Sequence, residues 1–187
     1  MRLALLILGG LMLAGGAAAQ DAEAGRQVAG MCRTCHGLDG YSRLVDAPHI
    51  GGEPAAYLAG QLRAFRSGER QHQMMSVVAA GLSDAQIEDV AAWYGAHSAT
   101  ATLGADPADA PEACVACHAA DGISIAQDAP NLAGEEPLYL VEQLRAFAEG
   151  RRVHEAMSGI AGALSEEEMR AAADWYGAVT LEIEEAG

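Results

Sequence analysis

Between Ala55 and Arg66 the apolar residues Leu58, Leu62 and Phe65 fall at intervals of four and three, which draws one stripe down a helix. The stretch from Leu138 to Ala148 reads the same way, and Gly68 and Gly150 stand where each helix should stop. Two more helices are announced by capping boxes, Ser83 with Gln86 and Ser165 with Glu168. In each, the serine oxygen takes a backbone N–H and the longer side chain reaches back. Both helices carry Trp-Tyr-Gly near their C-terminal ends, Trp93-Tyr94-Gly95 and Trp175-Tyr176-Gly177, and a packing role is expected of these rings. An opening helix is predicted from Ala22 into the segment at Cys32, capped by Asp21. No stretch alternates with period two, so little or no sheet is expected and the predicted class is all-α.

Sliding the chain against itself by 82 positions brings the two halves into register without a gap. Cys32 meets Cys114, Pro48 meets Pro130, Gln61-Leu62-Arg63-Ala64-Phe65 meets Gln143-Leu144-Arg145-Ala146-Phe147, and Met75-Ser76 meets Met157-Ser158. The period is too long for a solenoid, so a whole domain is duplicated. Two units are expected, residues 20–98 and 109–187, joined by a linker at 99–108 in which Pro107 stands among Ala, Asp and Gly. Each unit reads as helix, cysteine segment, loop, helix, methionine loop, helix. Unit two has Pro107 and Pro111 where unit one has its opening helix, so that helix should be shorter there.

Charge adds a direction. Every basic residue is an arginine, and the net charge is −15. Residues 20–103 hold 9 acids against 6 arginines, whereas residues 104–187 hold 17 acids against 4. Such a field repels nucleic acid and anionic membrane surfaces and attracts basic protein partners with salt-sensitive rates. At the N-terminus, Arg2, the apolar run Leu3 to Leu13 and the small residues Ala17-Ala18-Ala19 read as a signal peptide over 1–19. The run is shorter than the ~20 residues of a membrane span, so cleavage after Ala19 is expected, with a retained anchor as the alternative.

The chemistry lies in Cys32-Arg33-Thr34-Cys35-His36 and Cys114-Val115-Ala116-Cys117-His118. Two thiols three positions apart, followed directly by an imidazole, suit covalent attachment of a haem with the histidine on its iron. Two disulfides or a four-thiolate zinc site would also use four cysteines, but neither accounts for a histidine after both pairs. Two covalently bound c-type haems are therefore predicted, on Cys32 and Cys35 and on Cys114 and Cys117, with His36 and His118 as axial ligands. A chain this short buries little core of its own, so without them it should be poorly folded. The opposite axial position is assigned to Met75 and Met157, which correspond across the repeat. Met74 aligns with Ala156 and is expected to pack over the porphyrin. His72 and His154 also correspond and are the competing ligands. Pro48 and Pro130 each lie twelve residues after a ligating histidine, where their carbonyls could accept from Nδ1–H and fix the ring. His49 follows Pro48 where Asn131 follows Pro130, and is expected to be a loop residue near one haem only.

With these residues in place the sequence resembles the class I cytochromes c, and specifically the two-haem cytochrome c4 type. The likeness rests on both Cys-x-x-Cys-His segments, the proline twelve residues on, the Gly-Glu before Tyr-Leu, the Gln-Leu-Arg-Ala-Phe segment, the loop methionine and the final Leu-Ser helix with its aromatic pair. It implies two all-helical domains with haems facing each other across an interface, working in the periplasm as an electron carrier rather than an enzyme. Partners would be redox proteins with basic docking surfaces, among them a membrane-bound oxidase or dehydrogenase. Two methionine-closed irons leave no place for a small-molecule substrate. Unit two has Ala119 where unit one has Gly37, and its acidity is extreme. These departures keep a second reading open, the dihaem subunit of a larger dehydrogenase such as flavocytochrome c sulfide dehydrogenase.

Overall fold

The computed structural model describes residues 21–185, so the predicted signal segment 1–19 lies outside the described residues. Unit one comprises α1 (Ala22–Ala29), α2 (Arg33–His36), α3 (Ala55–Ser67), α4 (Met75–Ala80), α5 (Asp84–Gly95) and β1 (Ser98–Thr102). Unit two begins with a 3-10 turn at Pro107–Asp109. It continues with α6 (Val115–His118), α7 (Pro137–Ala148), α8 (Glu155–Ala163), α9 (Glu166–Gly177) and β2 (Thr180–Glu184). The fold is mainly α, as predicted, with one small sheet added.

Asp21 caps α1 by accepting from the backbone N–H groups of Glu23 and Ala24. The helix ends at Gly30 instead of running into the cysteine segment, and one turn resumes at Arg33. α1 crosses α5 so closely that a Cβ on Gly25 would lie 1.9 Å from the Asp89 carbonyl oxygen and 2.9 Å from the Trp93 Cβ. Unit two has Pro107 at the matching position, and a single 3-10 turn replaces the helix. The cores differ accordingly. Val28, Ala29, Leu58, Leu82, Ile87, Val90 and Tyr94 pack together in unit one, whereas Leu140, Val141, Ala173 and Tyr176 are the buried cluster of unit two.

Both predicted capping boxes are present at the starts of α5 and α9. The methionine segments were expected to be loops; the structure makes them the short helices α4 and α8. The cause is a cap that crosses from side chain to backbone and back. In α8 the His154 ring accepts from the Met157 N–H while the His154 N–H donates to the Ser158 hydroxyl, and His72 and Ser76 do the same for α4.

The strands β1 and β2 pair antiparallel from Ser98↔Glu184 to Thr102↔Thr180. Thr100 faces Glu182, its own equivalent at 82 residues, so a pseudo-twofold axis passes between them. β1 occupies the first residues of the segment expected to be linker, and its Ser-Ala-Thr-Ala-Thr carries no large apolar residue to mark an alternation. Beneath the sheet, Ala133, Val179 and Leu181 of unit two pack with Tyr41, Ala99 and Ala101 of unit one.

A second contact obeys the same symmetry. Arg70 donates to Gln61 (2.7 Å) in its own unit and to Tyr139 (3.2 Å) and Gln143 (2.8 Å) in the other. Arg152 donates to Gln143 (3.1 Å) in its own unit and to Tyr57 (3.0 Å) and Gln61 (2.9 Å) in the other. Each guanidinium also lies over a phenyl ring of its own unit, Phe65 or Phe147. No helix among the described residues is long and apolar enough to cross a membrane.

Candidate haem sites

Each Cys-x-x-Cys-His segment forms a single helical turn, which carries both cysteines and the histidine together. The four thiols are free. Burial, with the neighbouring Cys35 adding to it, pushes the Cys32 thiol up to about 11, and burial raises Cys114 as well.

His36 and His118 are buried. Their Nδ1 atoms lie 2.9 Å from the Pro48 carbonyl oxygen and 2.8 Å from that of Pro130. Nδ1 therefore carries the proton, and Nε2 keeps the lone pair that a metal requires. Burial, the largest cause, holds both rings below the ordinary imidazole range, so both are neutral. His72 bears electrostatically on His36, and His154 on His118. Because the Nδ1 atoms of His72 and His154 are engaged in capping α4 and α8, these residues act first as holders of Met75 and Met157.

Three further pairs brace the sites, and none was assigned this task from the sequence. The indole N–H groups of Trp93 and Trp175 donate to the carbonyls of Leu38 (3.1 Å) and Ala120 (2.9 Å). The hydroxyls of Tyr94 and Tyr176 donate to the carbonyls of Gly37 and Ala119, both at 3.0 Å, directly after the histidines. The hydroxyls of Ser42 and Ser124 donate to the carbonyls of Cys35 (2.8 Å) and Cys117 (3.3 Å). The signal that could have found them is their spacing, since each pair is separated by 82 residues. His49 turns out to be the counterpart of Asn131 in role as well as in position. Its Nδ1 accepts from the Ser42 N–H as Asn131 Oδ1 accepts from Ser124, and both side chains then bond a glycine carbonyl of the opposite unit.

Most exposed large apolar residues lie near these segments in the sequence. Leu44, Val45 and Ile125 in the loops after the histidines, Met31 before Cys32, and Met74, Val77 and Val153 around the methionines are exposed; Leu138 is the one large apolar residue exposed elsewhere among the described residues. The donor types fit a haem, with two thiols, one imidazole nitrogen that keeps its lone pair and methionine thioethers in each unit.

Unit two carries one strained position. Ala119 has φ 54°, where the equivalent Gly37 has φ 76°. A β-carbon in that conformation costs about 1–3 kcal/mol. Ala119→Gly is expected to stabilise the protein by about 1 kcal/mol in urea unfolding, because the strain relieved exceeds the added chain entropy. Gly37→Ala should act in the opposite sense and cost more, since its Cβ would meet Asp39 Oδ1 at 2.3 Å and the Tyr41 carbonyl oxygen at 2.7 Å.

No family model matches the sequence. Among characterised proteins the chain is similar to cytochrome c4 of Pseudomonas aeruginosa, 32% identical over 174 residues that cover 82% of this chain and 86% of that one. It is also similar to the thiosulfate dehydrogenase electron acceptor of Stutzerimonas stutzeri, 34% identical over 78% of this chain and 77% of the other. Among solved structures, reduced recombinant cytochrome c4 from Pseudomonas stutzeri superposes with a TM-score of 0.74 at 30% identity, covering 87% of this chain and all of that one.

Proposed function

Because the chain belongs to the cytochrome c4 family, the dihaem class I cytochromes c that carry electrons, we propose that it serves in the periplasm as a one-electron shuttle between a dehydrogenase or respiratory donor and an acceptor such as a terminal oxidase. Cys32 and Cys35 would hold one haem through thioether links, with His36 and Met75 on its iron. Cys114, Cys117, His118 and Met157 would hold the other. Each haem, when bound, supplies an iron that takes up and gives back one electron. The chain's own residues do the rest. The Pro48 and Pro130 carbonyls hold the imidazole tautomer, the Trp and Tyr donors fix the turn after each histidine, and His72 and His154 seat the methionines.

The observation that supports this reading is the repetition of both braces in the two units, an Nδ1 bonded to a proline carbonyl and a methionine helix capped by a histidine. An iron held by a side chain on each face would favour electron transfer over binding of a reactant.

A redox titration followed optically, with the near-infrared methionine-to-iron charge-transfer band recorded alongside, tests the assignment. Met75→Ala and Met157→Ala should each remove that band from one haem and lower its potential. Survival of both bands in both variants would show that other groups hold the irons.

Partners of this shuttle are redox proteins. The acids concentrated in residues 104–187 favour docking of a basic surface on unit two, with association that slows as salt is added. The likeness to a protein named as the electron acceptor of thiosulfate dehydrogenase supports a second reading, in which this chain stays docked on a catalytic partner such as a dehydrogenase. Co-purification of the partner at moderate salt distinguishes a resident subunit from a diffusing carrier.

A further inference from the structure

The loops that leave the two proline carbonyls cross the boundary between units. The His49 N–H donates to Oε1 of Glu135 at 2.9 Å, and the Asn131 N–H donates to Oε2 of Glu53, also at 2.9 Å. Each of these N–H groups belongs to the same peptide group as the Pro48 or Pro130 carbonyl that takes the imidazole proton in its own unit. One amide is thus held at both ends. Negative charge at its N–H end makes its oxygen a stronger acceptor, which gives the imidazole more anionic character. The crossing is fastened beside the carboxyls by His49 Nε2 on the Gly134 carbonyl (3.1 Å) and Asn131 Nδ2 on that of Gly52 (3.0 Å).

Glu53 and Glu135 are each 4% exposed, and neither takes part in an ion pair with arginine among the described residues. Burial raises both carboxyls, Glu53 to about 8, and the charge of Glu53 raises Glu135 further. Two such groups do not ionise together near neutrality. The other titratable groups around them are His49, Glu136, Tyr57, Tyr139, Arg70 and Arg152. The His49 ring is held neutral by burial and by accepting at Nδ1. Burial raises the Tyr139 hydroxyl, and Glu136 is exposed on the rim.

We infer that Glu53 and Glu135 are positioning residues for electron transfer, a proton-holding carboxyl pair in which each member sets the axial imidazole of the opposite unit through one shared peptide. The inference rests on the reading of His36 and His118 as axial ligands. Where pH is high enough to ionise one carboxyl, arrival of an electron from the protein donor draws one proton from solvent onto the pair. Oε1 of Glu135 is taken by the His49 N–H, so a proton on that residue sits on Oε2. When the acceptor removes the electron, the proton returns to solvent. The interior of the interface thereby takes on no net charge in either step.

The test uses the holoprotein with Glu53→Gln, Glu135→Gln and the double variant, since glutamine keeps an oxygen for the backbone N–H and changes only the charge. Potentials are measured from about pH 5 to about pH 9, with Met75→Ala as a background that marks the unit-one haem. Both wild-type potentials are expected to fall as pH rises, and redox-difference infrared spectra to show a protonated carboxyl that the double variant lacks. The crossed pattern is the signature. Glu135→Gln should remove the pH dependence of the unit-one haem, and Glu53→Gln that of the unit-two haem. If each substitution acts on the haem of its own unit, or if the double variant keeps the wild-type pH profile, the inference is overturned. Failure of the ligand reading shows itself separately, as near-infrared bands that persist in the methionine variants, while the double-variant profile still decides the role of the carboxyls.

Discussion

Replacing Cys114 and Cys117 together with alanine should yield a protein one haem lighter, in which unit two no longer melts cooperatively while unit one keeps its haem spectrum. Unit two has no equivalent of α1, and its cluster of Leu140, Val141, Ala173 and Tyr176 is smaller than that of unit one, so it leans more on a bound haem to offset chain entropy. Loss of one large aromatic from a core costs about 3–5 kcal/mol, and a haem buries more surface than any side chain. The same double change at Cys32 and Cys35 should do less damage. There α1 packs on α5, with Val28 and Ala29 buried against Ile87 and Val90. Mass, the reduced optical spectrum and limited proteolysis of the two variants decide the matter. A unit two that still melts as a single sharp transition in the Cys114/Cys117 variant would mean that the polypeptide holds its own core.

Stability should fall as pH rises from about 4.5 towards about 8, opposite to the usual behaviour of acidic residues paired with arginine. Burial raises Glu53 from 4.5 to about 8 in the folded chain, and Glu135 moves the same way. In that window the folded state holds protons that the unfolded state has released, so stability declines with increasing pH. The contribution is fully present below the unfolded value and is lost as pH climbs through the folded one. For Glu53 alone the span corresponds to about 5 kcal/mol. The exposed acids Asp84 and Glu166 are lowered by hydrogen bonds from Arg66 and Arg145, and they act in the other direction, losing their contribution as pH falls below the usual carboxylate range. His49, held below the ordinary imidazole range by burial, also acts in that direction as pH falls. Denaturant unfolding across this range checks it: wild type should weaken steadily towards alkaline pH, whereas Glu53→Gln/Glu135→Gln should stay level and be the more stable protein above pH ~8. Identical slopes for the two proteins would remove the carboxyls from the account.

Local rules made much of this molecule legible. Ser83 and Ser165 start their helices as capping boxes predict, because a cap depends on residues three apart and on nothing distant. The helices at Met75 and Met157 were missed for a related reason: histidine is not an expected cap, and here its ring does what a serine or aspartate usually does. The small sheet was missed because Ser98 to Thr102 carries no large side chains, and its pairing with Thr180 to Glu184 comes from the relation between the two units. His72 and His154, weighed as competing ligands from their position, cap the methionine helices through Nδ1, a contact that position alone does not reveal.

What the chain order determined by itself was everything carried by adjacency and by repetition: two Cys-x-x-Cys-His turns, the proline twelve residues after each histidine, and a period of 82 that pairs every brace with its twin. What only the tertiary structure decided was the meeting of the units. His49 reaches Glu135, Asn131 reaches Glu53, and Arg70 and Arg152 exchange tyrosines across the pseudo-twofold axis. Periodicity records which face a residue turns inward, whereas a carboxyl buried by a second domain is set by the docking of two surfaces, and nothing within a few residues of Glu53 or Glu135 encodes that approach.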